Sequence, residues 1–421
     1  MKLAPGGVLA SATVFWLLVF AMEPGRAFGQ DELGAAKAAI DSTAVPPDTS
    51  SVPQKDVGDV IAGILGRERK FELGERIGLN KTLLPAIGYN PAYGAYFGVS
   101  VALGGWLGPP KTTQLSAGSV SGTYSTSGQL SIQFKSDFYT PDNSWVFRGD
   151  WRYLDTAQST WGLGPALSFQ SEYPMDFRLY RVYQTIYRRV GSSTTYVGAG
   201  YHFDRHDEIF DERAAAGEVT PFVEYSGGAP TRTQSSGFSL AVINDTRDNP
   251  INASRGLFWS ASMRFLPKAL GSDNTHQILY SDFRGFVAVP KGGPHTLAVW
   301  NILWFSFGEV PYLGLPAIGW DTYGRSGRGF IQGRIRGPSQ TYTEFEYRRR
   351  LSRDGLWGMV GFVHLSTTSA APGEDFGSPD FGGGAGVRFK FNKRTNTNLA
   401  VDAGYGQDES VRLFFGLQEV F

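Results

Sequence analysis

Residues able to do chemistry are sparse in this 421-residue chain. The clearest group is His202, Asp204 and His206, with Asp207 and Glu208 just beyond. Side chains two apart on a strand share a face, so this spacing would let two imidazoles and a carboxylate converge on a cation. Two His and one Asp make an incomplete site, however, and they fall where a strand is expected to run into a long polar loop. No metal is assigned. Asp282 and Arg284 also share a face and read as a cross-strand ion pair rather than an acid–base couple. There is no cysteine, which removes disulfides, thiolate metal sites and a lipoprotein anchor. A G-x-S-x-G elbow, a phosphate-binding loop and an H-E-x-x-H helix are all missing. The expectation is a protein with no catalytic residues and no cofactor, not an enzyme.

The elements carrying these residues have an unusual composition. Glycine is abundant at 54, aromatics reach 14%, and charged residues are only 19%, below the usual quarter of a globular protein. Net charge is +0, so no long-range field points to nucleic acid. At the start, Lys2 precedes the apolar run Val8 to Met22, broken only by Ser11 and Thr13, and small residues follow at Ala27 and Gly29. Residues 1–29 therefore read as a cleavable secretory signal. Residues 30–81 read as a periplasmic linker, rich in Ala, Ser, Thr, Pro and Asp up to about 53. Within it, Val57, Val60, Ile61, Ile64 and Leu65 sit at helical spacing ahead of Arg67-Glu68-Arg69-Lys70. That predicts a short amphipathic helix, placed in a barrel mouth or on the inner leaflet.

No later apolar run is long enough for a spanning helix, and a membrane protein without one must close its hydrogen bonds as a barrel. Period-2 alternation from residue 82 to 421 supports that architecture. Trp145, Phe147, Trp151 and Tyr153 oppose Val146, Arg148, Asp150 and Arg152; Phe345 and Tyr347 oppose Glu344, Glu346, Arg348 and Arg350. Leu399, Val401, Ala403 and Tyr405 oppose Asn398 and Asp402. In a soluble sandwich the charged face points outward; here charges of both signs share one face while aromatics cover the other, as on a lipid-facing wall. Short turns such as 125–128, 191–193 and 290–294 alternate with long segments at 206–232, 309–338 and 367–380, matching periplasmic turns and outer loops. The predicted fold is all-β: a transmembrane antiparallel barrel of about sixteen strands. It would begin near 93–104 and end on strands 340–351, 357–366, 381–391, 396–406 and 409–421. Phe421, closing the alternating run Val411, Leu413, Phe415 and Leu417, is the expected signal to the barrel-assembly machinery.

Four local patterns over 82–421 resemble the bacterial surface-antigen superfamily, the family of the BamA and TamA assembly factors. Leu84-Pro85-Ala86-Ile87-Gly88-Tyr89-Asn90-Pro91 resembles the lead-in to the family's first strand. Asp245-Thr246-Arg247-Asp248-Asn249-Pro250, with Gly256, resembles its periplasmic turn. Arg328-Gly329-Phe330, five strands from the end, resembles its inward-folded loop, and Glu344-Phe345-Glu346-Tyr347-Arg348 the strand that follows. The resemblance implies that Arg328 anchors the loop to one or two of Glu344, Glu346 and Asp402. Independently, Gly-rich 324–337 can fold back tightly, and an arginine carried inside needs a carboxylate. Two departures are visible. His364 stands where the family carries an inward Asp, so an ionic anchor is lost there. The linker also leaves no room for the family's soluble substrate-handling domains.

Three functions are consistent with this reading. The resemblance implies insertion or translocation of unfolded outer-membrane or secreted proteins, with outer-membrane lipids as surroundings. It would act through a seam between strand 93–104 and strand 409–421, loosened by Gly94, Gly98, Gly104, Gly105 and Gly416. A pore lined by Lys135, Asp137, Arg148, Arg152 and Arg412 is the second, and a surface-interaction protein acting through loops 206–232 and 367–380 the third.

Overall fold

The computed structural model describes residues 52–66, 77–90, 94–165, 171–290, 293–393, 395–406, 411–417 and 419–421. The expected signal, residues 30–51 of the linker and the basic run 67–70 lie outside them. Sixteen strands form one antiparallel sheet in chain order. The first half comprises β1 (Gly78–Asn90), β2 (Gly94–Trp106), β3 (Ser116–Ser125), β4 (Leu130–Tyr139) and β5 (Trp145–Ala157). It continues with β6 (Met175–Arg189), β7 (Thr195–Asp211) and β8 (Thr233–Asp245). The second half holds β9 (Gly256–Leu266), β10 (His276–Val289), β11 (His295–Gly308) and β12 (Ser339–Arg350). It ends with β13 (Trp357–Thr368), β14 (Asp380–Asn392), β15 (Thr397–Gly406) and β16 (Val411–Leu417).

Alternation explains the wall. On β5, Trp145, Phe147 and Trp151 are exposed while Val146, Asp150 and Arg152 are buried; on β12, Phe345 and Tyr347 are exposed and Glu344 and Glu346 buried. Apolar residues outside and charges inside are what a strand between lipid and lumen requires. With an even strand count the start of β1 and the end of β16 share one end, the periplasmic end in a barrel of this kind. The long connections 158–174, 212–232 and 309–338 all lie at the other. The short turn around 125–128 joins β3 to β4 and so belongs with the long loops, not with the periplasmic turns as its length suggested.

Three expectations need correction. The first strand is Gly78–Asn90, so Gly94, Gly98, Gly104 and Gly105 lie in β2, which is paired on both sides. Pro85 hides this strand in the sequence, because proline cannot donate to a ladder; an edge strand, paired on one side only, tolerates it. Secondly, the alternating last strand stops at Leu417, and Glu419, Val420 and Phe421 turn into the lumen and are buried. Phe421 is thus not a lipid-facing strand terminus. Thirdly, the lumen is not polar throughout. Trp300, Ile302 and Trp304 on β11 and Phe286 on β10 face inward and pack with Val310, Tyr312, Leu315, Ile318 and Phe330 of the long loop. A loop that folds into a barrel needs an apolar wall to lie on, and this sector supplies it.

Strands β1 and β16 are the sheet's two edges. They lie side by side, with Cα atoms within 8 Å, but no ladder joins them among the described residues. Helix α1 (Val57–Ile64) opens with a capping box in which Asp56 and Asp59 each accept from the other's backbone N–H. It sits on the periplasmic rim rather than inside the mouth: Lys393, beyond β14, donates to Asp59 at 2.7 Å, and the Lys55 N–H donates to the Asp354 carbonyl at 2.9 Å.

Candidate functional site

The loop 309–338 crosses the lumen and is tied at both sides. Its tip is a tight turn around Asp321, whose carboxylate accepts the Ser326 N–H at 2.8 Å and hydroxyl at 2.6 Å. On the β4–β5 wall, Tyr323 donates to Asp137 at 2.7 Å and Arg152 donates to the Thr322 carbonyl at 2.6 Å. At its base, Arg336 is fully buried and donates to the Tyr312 carbonyl at 3.1 Å.

Arg328 is the tie on the opposite wall. It is 2% exposed, with one terminal nitrogen donating to Asp402 at 2.7 Å and the other to Glu346 at 2.5 Å and to Glu344. All three carboxylates converge on it, where one or two were expected. Its guanidinium also lies 3.5 Å over the Phe362 ring. His364 does face the lumen: its Nε2–H donates to the Arg328 carbonyl at 2.7 Å, so it holds the loop's main chain instead of its charge. Gly329 adopts φ +112°, and a Cβ there would stand 2.7 Å from the Tyr405 carbonyl. Only glycine lets the loop backbone lie this close to β15.

The network extends to Arg388 and Glu419, which sequence spacing did not single out. Arg388 on β14 donates to Asp402 at 2.5 Å and to Glu419 at 2.6 Å, and Arg348 to Glu346 at 2.5 Å and to the Phe421 carbonyl at 2.9 Å. Asn398 donates to Glu419 at 2.7 Å. Phe421 stacks on Trp300 with ring centroids 5.2 Å apart. Burial alone pushes the Glu419 carboxyl up, but Arg388 and Arg348 overcome it and hold the group below the usual carboxylate value. Arg388 is legible as an inward position of β14; the inward turn of Glu419 has no local signal.

The turn Asp245–Gly256 forms a second structured unit. Arg247 grips Asp245 through two bonds of 2.9 and 2.8 Å, and Asp248 accepts the Ser254 and Arg255 N–H groups at 2.9 and 3.3 Å. Gly256 leaves the turn at φ +99°. The turn reaches across the mouth to the β14–β15 turn, where Asn396 donates to the Asn252 carbonyl at 3.1 Å.

The remaining candidates are spent on structure. Asp204 accepts from Arg181 at 2.7 and 2.9 Å, His202 bonds Ser239 at 2.8 Å and His206 pairs with Thr233, so the three share a face without converging on a cation. His206 and Asp207 lie within β7, which runs on to Asp211 where a loop was expected. Arg284 and Asp282 pair along one strand, at 2.8 and 2.6 Å, not across two. Of the expected pore lining, Arg148 is bound to Asp137 at 2.6 Å, Arg152 to Asp150 and the loop, and Arg412 donates to the Gly329 carbonyl at 3.1 Å.

No family model and no curated protein matches the chain. Solved structures do resemble it. BamA from Haemophilus ducreyi lacking POTRA domains 1-3 aligns with 80% of this chain and 69% of its own, at 14% identity and a TM-score of 0.48. CdiB from Escherichia coli aligns with 81% of this chain and 61% of its own, at 9% identity and a TM-score of 0.50. CdiB from Acinetobacter baumannii aligns with 82% and 65%, at 11% identity and 0.46. The chain thus spans less than two thirds of either CdiB chain. At these identities the likeness concerns the fold, and it agrees with the wall described above: the chain is an antiparallel β-barrel of the outer-membrane type.

Proposed function

We propose that this barrel resides in the outer membrane and inserts or translocates protein segments through the seam between β1 and β16, with no catalytic step. The observation that carries the proposal is that no ladder joins the neighbouring edges of β1 and β16 among the described residues. An open strand edge offers a row of N–H and C=O groups that can template an incoming strand by β-augmentation. The interior supports the same reading, because the tied loop crosses the lumen from wall to wall and the tail turns into it. A pore reading finds less support, since three of its charges, Asp137, Arg152 and Arg412, bond the loop. The family resemblance of the Arg328 and Asp245 motifs agrees with an assembly role, and passage through the inner membrane would depend on the secretory signal.

The absence of native cysteine makes the test clean. Leu83→Cys on β1 is combined in turn with Leu413→Cys and Phe415→Cys on β16, and the barrel is reconstituted in liposomes with a urea-unfolded small outer-membrane barrel as substrate. Oxidation is expected to stop appearance of folded substrate, and dithiothreitol to restore it. Full activity of a quantitatively crosslinked barrel would overturn the lateral mechanism.

A further inference from the structure

Beneath the loop tip, the lumen keeps a partly open cavity of about 360 Å³. Its roof is the loop tip at Thr322, Tyr323 and Arg325, its side the tail at Val420 and Phe421, and its lower edge the turn at Pro250 and Ile251. Six Lys or Arg side chains line it against four carboxylates. Most of these charges are mutually satisfied: Arg148 with Asp137, Arg284 with Asp282, and Arg247 with Asp245 behind the lining. Arg325 donates to the Glu419 and Val420 carbonyls, and two further cations, Lys135 and Arg264, have no carboxylate of their own among the described residues. Lys135 faces Asp150 across the β4–β5 ladder, but both Asp150 oxygens bind Arg152, at 2.7 and 2.6 Å. The Lys135 ammonium is left 5.6 Å over the Tyr323 ring. Arg264 on β9 is 8% exposed and has no carboxylate partner among the described residues; Asp204 and Asp282 on the same wall are each taken by another arginine on both oxygens. Its guanidinium rests 4.6 Å over Tyr183 and 5.8 Å from the Tyr280 ring centre.

A cation taken from water without a counter-charge is costly, and six cations against four carboxylates around one cavity leave Lys135 and Arg264 for a compensating anion. Both line the same cavity. Lys135, Asp150 and Tyr183 are successive cross-strand partners on β4, β5 and β6, and Arg264 stacks on that same Tyr183. We infer that this cavity is a binding site for a small polyvalent oxyanion of the phosphate class, gripped by the Arg264 guanidinium on one side and the Lys135 ammonium on the other. Arginine's planar fork suits a tetrahedral oxyanion, and lysine adds a point charge. The cavity is bounded by wall, plug and tail, so the ligand is a soluble anion and not a lipid headgroup. The inference does not depend on the β1–β16 seam.

The test uses the full barrel folded in zwitterionic micelles, with folding of every variant checked by its heat-modifiable migration on gels. Inorganic phosphate and pyrophosphate are titrated and followed by ³¹P line broadening and calorimetry. Saturable one-site binding is expected for the parent chain, with at least tenfold weaker affinity in K135Q and in R264Q, loss in the double variant, and intermediate affinity in R264K, which keeps the charge and loses the planar fork. Chloride at equal ionic strength should compete poorly. Failure of phosphate and pyrophosphate to saturate, equal affinity in the folded double variant, or saturation only when lipopolysaccharide is added to the micelles would each overturn the assignment.

Discussion

Replacing Arg328 by methionine keeps the length of the side chain and removes the cation that three carboxylates share. The consequences for those three differ. Asp402 retains Arg388 at 2.5 Å and Glu346 retains Arg348 at 2.5 Å, whereas Glu344 is left with the Tyr342 hydroxyl alone. The penalty therefore concentrates on Glu344, a fully buried carboxylate without a counter-charge. Removing one partner of a buried pair costs about 3–5 kcal/mol. At 1.36 kcal/mol per decade, that shifts the docked loop toward release by a factor on the order of 10²–10⁴. The variant Arg328→Met should lower the denaturant midpoint of the refolded barrel and produce long-lived conducting states in planar bilayers as the plug leaves. Adding Glu344→Gln should recover most of the loss, and Glu346→Gln should not. A variant with the parent's midpoint and conductance would refute the anchoring role, and equal rescue by both glutamines would refute the assignment of the penalty to Glu344.

Other perturbations follow from the same geometry. Gly329→Ala needs an unfavourable φ and a Cβ 2.7 Å from β15, so it should lift the loop and cost about 1–3 kcal/mol in unfolding experiments. Phe421→Ala removes a ring packed on Trp300 and Phe286, and should lower stability by about 3–5 kcal/mol while leaving the strand content measured by circular dichroism unchanged. The folded-state value of Glu419 is depressed, so its contribution is fully present above the ordinary value of 4.5 and is lost as pH falls through the lower folded value. Maleimide labelling of Val420→Cys, normalised to an exposed cysteine, should stay slow from pH 7 to 5 and quicken only in stronger acid.

Much of the wall is readable from period-2 alternation, because each strand separates two solvents of opposite polarity. β5, β12 and β15 show it plainly, and the inward positions of Glu344, Glu346 and Asp402 follow from it. The sequence is opaque wherever that contrast fails. β11 (HTLAVWNILWFSFG) is apolar on both faces, since lipid lies outside and the loop's aromatics inside, so its inner face could not be told from its outer one. β1 is masked by Pro85. Val420 and Phe421 look like the end of a lipid-facing strand, because hydrophobicity alone cannot distinguish burial in lipid from burial against Trp300. Arg388 and Glu419 escaped notice because their partnership joins residues far apart in sequence, through a tail whose inward turn no motif announces.

The contact between Asn252 and Asn396 gives the barrel a chord. It divides the ring of sixteen strands into an arc of six, β9 to β14, and an arc of ten that contains both free edges. A hoop braced along a chord bends mainly in its longer arc. Thermal breathing of the cross-section should therefore be channelled into β15, β16 and β1 to β8, while the aromatic sector that seats the plug keeps its curvature. The bracing turn lies far from the seam along the wall, yet it would set how widely the seam gapes.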